Sequence, residues 1–582
     1  MDMVNIKING RDYSVPKNST VLSAARSVGI QIPTLCYLKD INEIGACRIC
    51  VVEVKGARSL VTSCVYPVNE GMEITTNSKK VNECRKMTLE LLLSNHRKEC
   101  LSCIRSGNCE LQALCREYGV EDENAFDGAV TPTEIDDSAV HMVRDNSKCI
   151  LCRRCVAACK NLQAVSVIGA NSRGFNTHIG SAFEAKLAEV ACIHCGQCIN
   201  VCPTGALYEK DDTAKVFDAI NDPTKHVIVQ TAPSVRVGLG EEFGYPIGSV
   251  VTGQMVAALR RLGFDKVFDT NFSADLTIME EATEFLDRYT NKGKLPLITS
   301  CSPGWVKFCE HYFPDFMDNL SSCKSPQGMF GATAKTFYAE KMGIDPKDIF
   351  SVSIMPCTAK KFEATRDQNA VEGYPDIDAA LTVRELARMI KQQGIIFNEL
   401  PDEEFDAPFG LGSGAGTIFG ATGGVMEAAL RTAAEVVTGQ PLEKLDFMDV
   451  RGTQGIKQAS YNLAGNEVRV AVASGLANAK KLLEMVRDGE IEVDFIEIMV
   501  CPGGCVNGGG QPIQNANVRN KIDIRAERAA GLYKDDLNLP IRKSHENPDI
   551  KAVYDEFFGK PGSHKAHEIL HTHYVKRDKY FN

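Results

Sequence analysis

The positions of the cysteines constrain this chain more than any other feature. There are 23 in 582 residues, and most stand in five sets whose spacing suits iron–sulfur ligation. An electron carrier needs one or two clusters. Several in line, followed by further Cys in a long Gly-rich C-terminal half, read as a wire feeding a redox site.

The strongest signal is a repeat. Cys149, Cys152, Cys155 and Cys159 run C-x2-C-x2-C-x3-C, and Cys192, Cys195, Cys198 and Cys202 repeat it, with Pro203 following. In this bacterial two-cluster pattern the fourth Cys of each run ligates the other cluster. One [4Fe–4S] cluster is expected on Cys149, Cys152, Cys155 and Cys202, and a second on Cys192, Cys195, Cys198 and Cys159.

Upstream, Cys36, Cys47, Cys50 and Cys64 are spaced C-x10-C-x2-C-x13-C. Residues 4–15 alternate as a hairpin around a Gly-Arg turn. Residues 20–28 read as a helix capped by Ser19 or Thr20, and 48–56 as a strand. Four thiolates on a loop over a small sheet suit a plant-type [2Fe–2S] cluster with a long first gap; a structural zinc is the alternative. After a helical stretch at 81–95, His96, Cys100, Cys103 and Cys109 suit a further [4Fe–4S] cluster, or a zinc held by three thiolates and one imidazole. Their place between two electron carriers favours the cluster. Cys84 and Cys115 are left over, as small buried hydrophobes.

Composition narrows the class. Length allows about four domains at ~150 residues each. A net charge of −10 gives no basic face for nucleic acid. No run reaches the ~18 apolar residues of a membrane span, and MDMVNIKING has no apolar leader core. A long chain without a leader argues for reduced thiols in the cytoplasm and against a disulfide scaffold.

After an acidic linker at 121–138, the pattern changes from about residue 222. Apolar runs at 226–234, 295–301, 348–357 and 378–386 alternate with helical stretches at 251–264 and 275–289. That predicts α/β units with a mostly parallel sheet, in which function gathers at strand C-termini. Cys301 and Cys357 fall there. Three segments carry the chemistry: ITSCSPGW (298–305), MPCTAKKFE (355–363) and EIMVCPGGCVNGGGQP (497–512). The Gly-rich stretch 412–431 lacks a phosphate-loop pattern; its glycines suit close approach of backbone to a bulky inorganic group.

These segments resemble the three signatures of the [FeFe]-hydrogenases, TSCCPxW, MPCxxKxxE and ExMxCxxGCxxGGGxP, and the last two match position for position. The resemblance spans almost the whole chain. It implies an α/β catalytic domain with mostly parallel sheets at 222–520. Before it come a β-grasp [2Fe–2S] ferredoxin-like domain at 1–80, a small [4Fe–4S] domain with one His and three Cys ligands at 81–125, and an α+β two-[4Fe–4S] ferredoxin-like domain at 139–210. A small-subunit-like segment at 521–582 wraps the catalytic domain. The implied cofactor is the H-cluster, a [4Fe–4S] cubane joined through a Cys to a two-iron centre with CO, cyanide and azadithiolate. Cys357, Cys501 and Cys505 are the implied cubane ligands, with Cys505 bridging. Lys360 is the implied donor to a cyanide, and Pro233, Ser234, Gln327, Met355, Phe419 and Met499 wall the pocket.

The first signature departs from the family at one position. Where the family has two Cys, a proton shuttle and then a cubane ligand, this chain has Cys301 and Ser302. Register makes Cys301 the shuttle; ligand softness makes it a ligand, because a hydroxyl is a hard donor. Both readings stay open. The residues matching the family's proton route are Glu281, Glu284, Arg288 and Ser321. Similar Cys-Ser variants look like those of multisubunit, nicotinamide-linked members. No nucleotide site is visible here, so NAD(P)H requires flavin- and iron–sulfur-containing partner subunits, beside or instead of ferredoxin. Maturation proteins are implied as well. Two alternatives are an iron–sulfur subunit of a respiratory-type dehydrogenase, which lacks the second and third signatures, and a cluster-assembly scaffold, which lacks the two-iron centre.

Overall fold

The computed structural model describes residues 2–126, 130–131, 133–442, 444–463 and 465–579. Part of the acidic linker, 127–129 and 132, lies outside the described residues. The N-terminal strands Met3–Ile8 and Arg11–Pro16 pair antiparallel, and the turn falls on Asn9–Gly10, one residue before the expected Gly-Arg. Asn9 and Gly10 both take positive φ, which these two residues tolerate best. The strands belong to a five-stranded sheet. The helix Val21–Ser27 crosses it, capped by Thr20, whose hydroxyl accepts from Ser23 N at 3.2 Å. The next helix, Lys79–Leu93, is fastened by Arg85, which donates to the carbonyls of Ile49 (3.2 Å) and Val51 (2.8 Å) beside the cysteine loop.

The repeat unit is closed by the antiparallel strands Met142–Asp145 and Leu207–Glu209. Its Glu209 is buried and held by Arg384 (2.9 Å) and Arg388 (2.7 Å) of the catalytic half. Stripping two Arg from one buried carboxylate would strand a charge, so this joint is stiff.

The catalytic half contains two four-stranded sheets. In the first, Lys266–Asp269, His226–Thr231, Ile349–Met355 and Ala379–Thr382 run parallel. In the second, Leu297–Ile298, Phe495–Met499 and Asn466–Ser474 are parallel and Ile456–Leu463 is antiparallel. The run 295–301 yields only two strand residues, because Thr299–Ser302 already turn toward the helix Pro303–Tyr312. The helix expected at 275–289 spans Thr270–Thr290, since Asp269 caps it by accepting from Asn271 N at 3.0 Å. The C-terminal helices Ile524–Asn538, Pro548–Val553 and His564–Leu570 pack on the catalytic helices from outside. No helix is long and apolar enough to cross a membrane among the described residues.

Candidate active site and its electron supply

Four strand ends, two from each sheet, point at one place. His226–Thr231 delivers Pro233 and Ser234, Ile349–Met355 delivers Met355 and Cys357, Leu297–Ile298 leads to Cys301 and Ser302, and Phe495–Met499 leads to Met499 and Cys501. The loops meet around one cavity. All twelve residues expected there line it: Pro233, Ser234, Cys301, Ser302, Gln327, Met355, Cys357, Lys360, Phe419, Met499, Cys501 and Cys505. Glycine allows the loops to meet. A Cβ on Gly508 would lie 2.0 Å from the Pro356 carbonyl, so the second and third signatures touch only because that Cβ is missing.

The donor set fits a metal cluster. Burial pushes the Cys505 thiol up to about 12 and raises those of Cys357 and Cys501. One buried and two half-buried thiols round one cavity are the donor type that a soft metal takes as thiolates. Ser234 adds a buried hydroxyl with no partner among the described residues at the cavity wall. Lys360 Nζ is held by Glu363 (2.7 Å), Ser325 Oγ (2.7 Å) and the Cys301 carbonyl (3.3 Å). Glu363 also accepts from Gln327 Nε2 at 3.0 Å. Sequence reading quoted Glu363 within the motif but gave it no role; its i+3 spacing from Lys360 was the available signal.

The charged groups acting on Cys301 are Glu281, Lys360, Cys505 and Glu497, while Cys357 and Cys501 each act on or answer to the other cubane candidates. Ser302 opens the helix Pro303–Tyr312 without its hydroxyl capping that helix. Glu281 is buried, and the Ser321 hydroxyl and Ser300 backbone N–H that approach its carboxylate do so too loosely to make full hydrogen bonds. Desolvation first, and Glu284 and Glu497 after it, raise its pKa to about 8. Glu281 is therefore not part of a solvated face. Ser321 Oγ donates to Glu284 Oε2 at 3.0 Å, and Arg288 Nη2 donates to Glu284 Oε1 at 2.5 Å. Glu284 and Arg288 are partly exposed, so the series Cys301, Glu281, Ser321, Glu284, Arg288 runs from the cavity toward solvent. Glu497 of the third signature has a supporting role: it accepts from Gly423 N (2.7 Å) and Met426 N (2.8 Å) at the start of the helix Gly424–Thr438.

The cysteines of the repeat are brought together in two crossed sets. One cavity is lined by Cys149, Cys152, Cys155 and Cys202, another by Cys159, Cys192, Cys195 and Cys198, the crossed sets of the repeat. Cys36, Cys47, Cys50 and Cys64 are all buried. They form two pairs, Cys36 with Cys47 and Cys50 with Cys64, coupled by hydrogen bonds, the arrangement of two irons with two thiolates each. His96 is half-buried, its Nδ1 has no partner among the described residues, and desolvation lowers its pKa to about 4, so the ring stays neutral.

These sites are linked. Asn42 Nδ2 donates to the carbonyls of Cys36 (2.9 Å) and Cys152 (3.0 Å), tying the first loop to the first repeat cavity. Arg105 donates to the Cys202 carbonyl at 3.4 Å, and a Cβ on Gly205 would lie 2.6 Å from Cys103 Sγ, so the His96 set abuts the same cavity. Cys195 lines both the second repeat cavity and the active-site cavity. Gln197 Nε2 donates to Cys501 Sγ at 3.1 Å and to the Asn507 carbonyl at 2.8 Å. Sequence reading missed Gln197, since nothing in its spacing marks a partner 304 residues away.

Family models match in the same order. They are a 2Fe-2S iron-sulfur cluster binding domain (1–79), an NADH-ubiquinone oxidoreductase-G iron-sulfur binding region (85–124) and a 4Fe-4S dicluster domain (148–206). The C-terminal domain of the iron only hydrogenase large subunit (225–509) and the iron hydrogenase small subunit (522–577) follow. The chain is 50% identical to the NADP-reducing hydrogenase subunit HndD of Solidesulfovibrio fructosivorans, over 100% of both chains. It is 46% identical to iron hydrogenase 1 of Clostridium pasteurianum, over 99% of this chain and 100% of that one. Its fold matches a variant of the apo [FeFe]-hydrogenase HydA1 of Chlamydomonas reinhardtii with a TM-score of 0.57 and 45% identity, covering 63% of this chain and 99% of that one. With its signature loops closed on one thiol-lined cavity and relatives along its full length, the chain belongs to the iron-only hydrogenases: it is an [FeFe]-hydrogenase, fed by a chain of iron–sulfur domains.

Proposed function

We propose that this hydrogenase is the catalytic subunit of a larger assembly that exchanges electrons with NAD(P)H through partner flavin and iron–sulfur subunits, and with ferredoxin. Its cofactors are one [2Fe–2S] cluster, three accessory [4Fe–4S] clusters and the H-cluster. Cys36, Cys47, Cys50 and Cys64 hold the first. His96, Cys100, Cys103 and Cys109 hold the second. The crossed repeat sets hold the third and fourth. Cys357, Cys501 and Cys505 would hold the cubane, with Ser302 as the fourth donor. When bound, the H-cluster supplies the exchange of two electrons and two protons for H2.

The protein's part is positioning, electron supply and proton handling. Met355, Met499, Phe419 and Pro233 exclude water. Lys360, fixed by Glu363 and Ser325, supplies a positive donor for a cyanide. The raised thiol of Cys301 keeps its proton on Sγ between exchanges, and Glu281, protonated at neutral pH by burial, passes one between Cys301 and Ser321. Glu284 and Arg288 hand it to solvent.

The observation that carries the partner reading is the fork. The Cys36 arm and the His96 arm both abut the Cys149–Cys202 cavity, more inlets than one donor requires. Met87, Leu91 and Leu101 stand exposed beside the His96 arm, apolar surface that a partner subunit would cover. The full-length similarity to a subunit named as NADP-reducing supports the same reading. Purification from the native host at low salt tests it. A co-purifying flavoprotein with NAD(P)-linked H2 turnover is expected. A lone chain with full ferredoxin-linked activity would overturn it.

A further inference from the structure

We propose that Glu284, Cys323 and His571 form a site for one thiophilic divalent cation of the zinc class, whose occupancy stops proton delivery. A carboxylate oxygen, the Cys323 Sγ and an imidazole nitrogen lie within 4.8 Å of one another. Thiolate, imidazole and carboxylate, with water in the fourth position, make a tetrahedral zinc set.

The frame around the donors is preformed. Cys323 and His571 face each other across an isolated antiparallel bridge. Backbone bonds flank it, from Lys324 N to Leu570 O (2.8 Å) and from Thr572 N to Ser322 O (2.7 Å). Glu284 comes from the helix Thr270–Thr290, with Oε2 3.7 Å from Cys323 Sγ. His571 is oriented by Ser322 Oγ at Nδ1 (2.8 Å) and by Glu280 at Nε2 (3.1 Å), and Tyr554 in turn donates to Glu280. The exposed His567 ring stacks on His571 with centroids 4.4 Å apart, placing a further imidazole on the solvent side.

Charge favours a cation as well. Glu284 and Glu280 both act on Cys323; Arg288 pairs with Glu284 Oε1, and Oε2, which also accepts from Ser321 Oγ and Ser322 N, is the oxygen turned toward Cys323 Sγ. The other such group among the described residues, Glu435, His545 and Glu546, is filled by Lys543, whose ammonium pairs with both carboxylates at 2.8 and 2.9 Å. Binding at Cys323 releases the thiol proton to water, with no change of oxidation state.

The consequence rests on the proposed route through Glu284. A carboxylate ligating a metal cannot also pass a proton, so turnover falls with occupancy. The drop is expected to be roughly a hundredfold or more, the usual share of a positioned proton relay.

The test uses the cluster-loaded, matured enzyme with one equivalent of Zn2+. Zinc-edge X-ray absorption should show one sulfur and two or three nitrogen or oxygen neighbours. H2 evolution should fall and recover on chelation, while dithionite still reduces the accessory clusters. Cys323→Ala should keep its turnover and lose both the sulfur neighbour and the inhibition. A wild-type zinc spectrum without sulfur, or inhibition undiminished in Cys323→Ala, would overturn the site. Glu284→Gln without zinc tests the proton route separately. If it turned over at the wild-type rate, the inhibitory half would fail, while the spectrum would still judge the site.

Discussion

Replacing Glu281 by Gln should make the protein more stable and nearly inactive at once. Glu281 is buried, its carboxylate only loosely approached by Ser321 and the Ser300 N–H, and desolvation raises its pKa to about 8 from an ordinary 4.5. The folded state therefore keeps a proton that the unfolded chain releases above pH 4.5. Stability contributed by that proton is whole below pH 4.5 and is lost as pH rises to about 8. At about 1.36 kcal/mol per unit, the loss is under 1 kcal/mol at pH 5, about 3 kcal/mol at pH 7 and about 4 kcal/mol at pH 8. A neutral amide removes this dependence. The melting temperature of Glu281→Gln should match wild type at pH 5 and exceed it by several degrees at pH 8. Trp305, the single Trp, is buried in the first signature helix and reports the transition by fluorescence. H2 turnover should drop by about a hundredfold or more, because an amide cannot relay a proton. A melting difference that does not vary with pH, or retained turnover, would refute the reasoning.

Three further outcomes follow from the same contacts. Gln197→Leu removes the amide donor to Cys501 Sγ and should lower the cubane potential by tens of millivolts, since ~1 kcal/mol is roughly 40 mV for one electron; a redox titration followed by EPR reads it. His96→Cys should leave its cluster bound and lower that cluster's potential, because a thiolate adds negative charge where the imidazole is neutral; zinc in place of iron at that site would end the argument. Cys301→Ala should abolish turnover and keep the cubane EPR signal, whereas Ser302→Ala should alter that signal; loss of the cubane in Cys301→Ala would make Cys301 the ligand.

The grouping of the repeat cysteines was legible in the sequence because iron–sulfur ligation fixes short spacings, and their crossed arrangement follows from the repeat. The catalytic pocket was legible because its residues sit just after strand ends, where α/β sheets collect function. Side-chain contacts between distant segments left no such trace. Gln197 reaches Cys501, and Cys323 faces His571, across separations that no local period encodes. The roles of Glu363 and Glu497 likewise depend on which donor the fold brings to each carboxylate. The short strand at Leu297–Ile298 shows the reverse: an apolar run predicted more strand than the turn into the Pro303 helix allows.

Infrared spectroscopy of the matured protein tests the central claim most directly. The account predicts bands from iron-bound CO and cyanide that appear only when the maturation proteins are present and that disappear in Cys505→Ala, while the accessory clusters persist. Matured protein with its full complement of iron and no such bands would contradict it.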